Sequence, residues 1–283
     1  MVLAVLTSFD GGRLFGEVYG AGPPRVLALH GWRRDHRDFD RVLKGQPAGS
    51  PPSTAERRSP MDAPLPEGPL DALALDLPGF GSAPAPSQPW GSDEYAKAVA
   101  GVLPEMAERV VLVAHSFGGR VAVHLAASQR DRVAGLLLSG APLFRSVGPS
   151  RSRAGSSFRF RLMKGLAGRG LVSEARLEAA RRRHGSEDYN AASGVMRGVL
   201  VRALAEERAE AYTTSLAAIT CPVELIWGEL DTAAPPSVAA RIEDCITAPK
   251  SLRVLSAVGH LTPIEIPGVL RARVDHLLEG VGP

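Results

Sequence analysis

The chain has 283 residues, 45% of them hydrophobic, enough for a large α/β core and too apolar for global disorder. No run approaches the roughly 18 apolar residues of a membrane span, and the opening MVLAVLTSFDGG lacks the basic flank and the apolar length of a secretion signal. The net charge of +3 is small, although 29 of the 33 basic residues are Arg, and so mild a surplus gives no ground for nucleic-acid binding.

Short apolar runs alternate with amphipathic stretches along the chain. Residues 2–8 and 13–20 read as two strands joined through Asp10, Gly11 and Gly12, a hairpin signal. Further strands are expected at 25–31, 70–77, 109–116, 133–140, 223–228 and 252–258. Helical patterns lie between most of them, at 92–107, 117–129, 235–244 and 268–279. A hairpin followed by strand–helix units, with strands apolar on both faces, predicts a mainly parallel eight-stranded sheet flanked by helices. Cys221 and Cys245 have neither metal nor redox spacing and read as small buried hydrophobes, the default for a reducing cytoplasm.

Two segments break this rhythm. Residues 44–69 hold seven prolines and almost no apolar periodicity, so a flexible Pro-rich loop is expected. Residues 142–215 separate two strands by more than a crossover helix requires and contain helical patterns at 156–168, 173–183 and 187–210. The predicted organisation is therefore a core of 1–141 and 216–283 with a helical cap inserted at 142–215. That cap carries 14 basic against 7 acidic residues. The surplus reads first as a solvated surface in a chain that prefers Arg throughout. The alternative is a rim that attracts an anionic small-molecule substrate or an acyl-carrier protein.

The chemistry-bearing residues sit at strand ends. Ser116 follows the run at 109–115 and is flanked by Ala114 and Gly118, small residues that a sharp strand-to-helix turn demands. A serine needs a base to become nucleophilic, and the base needs an orienting acid. His260 follows the last strand, and Asp231 lies in the loop after 223–228, giving the order serine, acid, histidine. Backbone N–H groups of Trp32 and Phe117 are candidate donors for a developing oxyanion.

The segments LALHGW, DLPGFGS, AHSFGG, IWGELD and VGHLTPIE together resemble an α/β-hydrolase-fold serine hydrolase over nearly the full length. The resemblance implies Ser116 as nucleophile, Asp231 as acid and His260 as base, with no cofactor. It also implies a helical cap after the sixth strand. The epoxide hydrolases and haloalkane dehalogenases of the family carry aspartate at the nucleophile position, so Ser116 disfavours those reactions. Hydrolysis of an ester, thioester or related acyl bond is expected. C–C bond hydrolysis, or a lyase reaction like that of a menaquinone synthase, shares the same triad, and a binding protein on this fold is a further alternative. His30, His115 and Asp76 read as loop-shaping groups, and Arg120 as solvated or internally ion-paired. His36, His124, His184 and His276 lack metal-ligand spacing, so no metal site is inferred.

Overall fold

The computed structural model describes residues 6–47, 59–145 and 187–281. Their strands are β1 (Leu6–Phe9), β2 (Leu14–Tyr19), β3 (Val26–Leu29), β4 (Ala72–Asp76), β5 (Val110–His115), β6 (Val133–Ser139), β7 (Val223–Gly228) and β8 (Lys250–Leu255). The helices are α1 (Asp40–Lys44), α2 (Ser92–Ala100), α3 (Phe117–Ser128), α4 (Glu187–Ala191), α5 (Gly194–Ala209), α6 (Thr213–Ala218), α7 (Pro236–Cys245), α8 (Thr262–Glu265) and α9 (Pro267–Glu279). The strands form a single eight-stranded sheet in the order β1-β2-β4-β3-β5-β6-β7-β8. The β1–β2 and β2–β4 pairs are antiparallel, and every other pair is parallel.

The period-two alternation of each strand divides the core into two layers. Val26, Ala28, Val111 and Val113 face α1 and α9, where they join Val42, Leu43, Leu270 and Val274. Leu27, Leu29, Leu112 and Ala114 belong to the opposite layer with Tyr95, Val121, Leu125 and Ile242 of α2, α3 and α7. Both faces of the central strands are thus apolar, as a parallel sheet between helices requires. The edge strand β8 is largely exposed and carries Lys250 and Arg253, charges that discourage pairing with another chain.

Several boundaries differ from the sequence pattern. The helix expected at 92–107 stops at Ala100 and resumes as a short 3₁₀ turn at Leu103–Glu105. Pro104 has no N–H to donate and its ring crowds the carbonyl of residue 100, which breaks the α-helix. The pattern at 187–210 splits between α4 and α5, because Gly194 takes a left-handed φ of 51° at the junction. The last strand lies earlier than 252–258. Its pairing with β7 begins at Lys250 and ends at Leu255, and the Val258 carbonyl instead accepts from Leu230 N at 2.9 Å in the loop after β7.

Both ends of the Pro-rich stretch have fixed partners. Gln46 N donates to the Pro66 carbonyl at 2.9 Å, and Gly68 N donates to the Gln46 carbonyl at 3.0 Å. Asp62 Oδ1 accepts from Gly268 N (2.8 Å) and Val269 N (3.3 Å), the first turn of α9. Proline-rich composition removes helical periodicity, but it leaves carbonyls and an acid that can bond elsewhere. Residues 48–58, and the helical patterns at 156–168 and 173–183, lie outside the described residues.

Helix α5 is fastened to the sheet domain by a buried polar network. Arg120 of α3 donates to the Ala203 carbonyl (2.9 Å) and to the Tyr212 hydroxyl (3.0 Å), and pairs with Glu207. The Tyr212 hydroxyl (2.7 Å) and Ser92 Oγ (2.6 Å) both donate to Glu206 Oε2. Arg120 is therefore internally ion-paired, with its side chain only 4% exposed. Removing one partner of such a buried cluster leaves the other charge uncompensated. Arg120→Ala is expected to lower unfolding free energy by about 3–5 kcal/mol, read as a reduced urea midpoint at unchanged slope. An unchanged midpoint would show that the network contributes nothing.

Candidate active site

Ser116 occupies the sharp turn between β5 and α3 with φ 52° and ψ −115°, a conformation that costs a non-glycine residue on the order of 1–3 kcal/mol. Three backbone bonds impose it. Ser116 N donates to the Ser139 carbonyl (2.9 Å), Gly118 N to the His30 carbonyl (2.9 Å), and Gly119 N back to the Ser116 carbonyl (3.0 Å). The requirement for a small residue two positions on is explicit here, since a Cβ at Gly118 would sit 2.2 Å from the Leu29 carbonyl oxygen.

His260 and Asp231 meet this serine. His260 Nε2 lies 3.0 Å from Ser116 Oγ, and His260 Nδ1 lies 2.8 Å from Asp231 Oδ2. An ionised carboxylate only accepts, so Nδ1 carries the proton and Nε2 is left to accept from the serine hydroxyl. The other carboxylate oxygen, Asp231 Oδ1, accepts from Ala233 N (2.9 Å) and Ala234 N (2.8 Å). Trp227 Nε1 holds this loop in turn by donating to the Ala234 carbonyl at 2.8 Å. Asp231 is buried, while the His260 side chain is about one-quarter exposed.

Trp32 and Phe117 also come together. The bond from Gly118 to the His30 carbonyl ties the start of α3 to the loop after β3, and the two rings that follow meet at 5.4 Å. Phe80 packs edge-on to Trp32 at 4.9 Å. Gly31 lies between the loop and the serine, its Cβ position 3.3 Å from Ser116 Cβ.

The remaining histidines near the site have other duties. His30 Nδ1 donates to the Gly31 carbonyl (2.7 Å) and Nε2 accepts from Leu77 N (3.0 Å), while full burial pushes its pKa down. It is a neutral brace between the β3 and β4 loops. His115 packs its ring against His260 at 4.8 Å. Burial, and then the charge of His260, hold it well below the usual histidine range. Asp76 gathers His36 N, His36 Nδ1 and Ser82 N, each at 2.8 Å. Burial alone would raise the Asp76 carboxyl, but those donors outweigh it and leave it lowered.

One clamp was not anticipated from the residue pattern. Glu265 accepts from Gly259 N (2.8 Å) and Leu261 N (3.0 Å), the backbone on either side of His260. Its only sequence signal is an acid in the first turn of a short helix, five residues after the histidine. Among the described residues no three His, Cys, Asp or Glu side chains cluster as a metal site would require.

A model of the alpha/beta hydrolase family matches residues 26–272. Lipase LipV of Mycobacterium tuberculosis is 38% identical over 122 residues, which are 42% of this chain and 38% of that lipase. The pimeloyl-[acyl-carrier protein] methyl ester esterase of Neisseria meningitidis is 32% identical over 115 residues, 41% of this chain and 36% of that esterase. The chain thus matches well under half the length of these curated relatives. An esterase from Thermogutta terrifontis superimposes with a TM-score of 0.61 at 21% identity, covering 100% of both chains. A monoacylglycerol lipase of Paleococcus ferrophilus gives 0.59 at 21% identity, covering 93% of this chain and 99% of that one. Likeness at such identities is one of fold. No described helix is long and apolar enough to cross a membrane.

The Asp76–His36 bond ties the loop that carries Trp32 to stability at a defined pH. Hydrogen bonding to Asp76 raises the His36 pKa above its ordinary value, although burial opposes this. A raised folded-state pKa contributes stability that is fully present below the unfolded value, about 6.5, and is lost as pH rises through the folded one. The melting-temperature gap between wild type and His36→Asn should therefore be widest near pH 5.5 and shrink toward pH 9. A gap that is constant or widens with pH would refute the pairing.

Proposed function

The chain belongs to the alpha/beta hydrolase family, and on that premise we propose that it is a serine hydrolase cleaving an ester, thioester or related acyl bond. The observation that carries the proposal is the continuous hydrogen-bonded chain from Asp231 through His260 to Ser116, at 2.8 and 3.0 Å, ending on a strained backbone. In this reading His260 Nε2 takes the hydroxyl proton as Ser116 Oγ attacks the acyl carbon. The Trp32 and Phe117 N–H groups receive the developing oxyanion. His260 then returns the proton to the leaving group, giving an acyl-enzyme. Water, activated by the same histidine, releases the acid and restores the serine. Asp231 holds the imidazole tautomer that makes Nε2 an acceptor.

Residues 142–215 would serve as the cap that selects the substrate. The substrate would be a small molecule, in keeping with the names of the lipase and esterase relatives. An acyl-carrier protein as the bearer of that substrate is suggested by the name of the Neisseria meningitidis esterase and suits the cap's basic surplus. The esterase reading is preferred to C–C cleavage because both curated relatives are named for ester chemistry.

With a p-nitrophenyl ester as substrate, Ser116→Ala, His260→Ala and Asp231→Asn should each lower kcat by about 10⁴-fold or more while keeping the wild-type melt. Residues that act as a unit lose their effect together, so Ser116→Ala/His260→Ala should be little slower than either single variant. Full activity in Ser116→Ala, or strictly additive losses, would defeat the mechanism.

A further inference from the structure

Strand β6 ends on Ser139 and Gly140, and these two residues touch both halves of the candidate catalytic chain. Ser139 pairs in register with His115, and its carbonyl accepts from Ser116 N at 2.9 Å. Its hydroxyl serves the histidine loop instead, accepting from Thr262 Oγ1 at 2.8 Å. A Cβ on Gly140 would stand 3.1 Å from His260 Nδ1 and 3.2 Å from Asp231 Oδ2, so the backbone leaving β6 passes in contact with that pair. One residue is thus bonded to the nucleophile turn through its backbone and to the base loop through its side chain.

Thr262 is the first residue of α8, and its N–H donates to the His260 carbonyl at 2.9 Å. Its hydroxyl therefore pins a turn whose other end is His260. The Glu265 clamp lies within the same loop, so it shapes that loop without registering it on the sheet. The imidazole of His260, about one-quarter exposed, rests against His115 at 4.8 Å. His115 leans on the same anchor, with Nδ1 3.2 Å from the Ser139 carbonyl oxygen and 3.3 Å from Ser139 Oγ. Ser139 and Thr262 are 1% and 0% exposed, so neither can meet a substrate. Two buried hydroxyls that satisfy each other add little stability over apolar groups of the same shape. What they add is direction, because an apolar contact tolerates sliding and a short hydrogen bond does not. Displacing a reacting group by about 1 Å can cost roughly 100-fold in rate.

We propose that Ser139 and Thr262 are positioning residues, whose hydroxyl–hydroxyl bond sets His260 Nε2 against Ser116 Oγ. The proposal rests on the serine-hydrolase reading, since it acts through the same histidine. Acylation and deacylation both use His260, so loss of the bond slows both steps and leaves substrate binding unchanged.

The test is the steady-state hydrolysis of 4-nitrophenyl butyrate at 25 °C by four variants, each with its thermal melt. Thr262→Val keeps the shape of the side chain and removes the hydroxyl, and Ser139→Ala removes the other partner. Each should lower kcat about tenfold, with KM held within about twofold. The double variant deletes the same single bond, so it should be no more than about twofold slower than the slower single. Thr262→Ser, which loses the methyl and keeps the hydroxyl, should recover most of the rate lost in Thr262→Val. A purely structural role would lower the melts of Thr262→Val and Ser139→Ala and leave kcat of the folded protein at the wild-type value. That result, or a loss in Thr262→Ser as deep as in Thr262→Val, or a change confined to KM, would overturn the positioning role while leaving the esterase reading intact. Failure of the wild type to hydrolyse the ester would overturn both.

Discussion

The left-handed turn at Ser116 is the constraint around which the rest of the candidate site is organised. An unconstrained serine would relax from φ 52°, so the conformation persists only because neighbouring backbone over-determines it. The start of α3 is drawn down onto the end of β3 by Gly118, where a single Cβ would collide with the Leu29 carbonyl. Ser116 N is held by the carbonyl of Ser139 on the adjacent strand β6. Because β3, β5 and β6 are fully buried parallel strands, this strain is stored in a rigid frame and not dissipated into a loop.

The same frame sets the other groups at hydrogen-bond distance. Parallel strands end on one edge, so the loops after β3, β5, β7 and β8 arrive there together. What fixes each loop is a buried or half-buried acid that bonds to backbone. Asp231 orders its own loop through two N–H groups, Glu265 clamps the chain on both sides of His260, and Asp76 joins the loops after β3 and β4. Each such acid would be costly if left unsatisfied, and each is satisfied by donors that only the assembled loops supply. The network on Arg120 extends this logic to α5, so that this helix is coupled to α3, the helix that Ser116 precedes.

The sheet was legible in the sequence because buried parallel strands are continuous apolar runs, and runs such as VLAL and VVLVAH have no competing helical period. Ser116, Asp231 and His260 were legible because small residues and strand ends mark them, and the folded chain brings all three into one hydrogen-bonded line. Other features left weaker traces. The splitting of the 92–107 pattern rests on one proline, and the early end of β8 depends on which loop its last residues bond. Glu265 and Arg120 act through partners far away in sequence or through backbone atoms, and no local pattern encodes either. The contacts of Asp62 with α9 are likewise invisible to composition, which registers only the prolines around it.

The most direct test of the central claim is the site and rate of modification by a fluorophosphonate, which reacts with a serine only when a base activates it. Peptide mapping of the wild-type adduct should place a single phosphonyl group on Ser116, and His260→Ala should slow its formation by orders of magnitude. Labelling at another serine, or labelling of Ser116 at an undiminished rate without His260, would contradict the account.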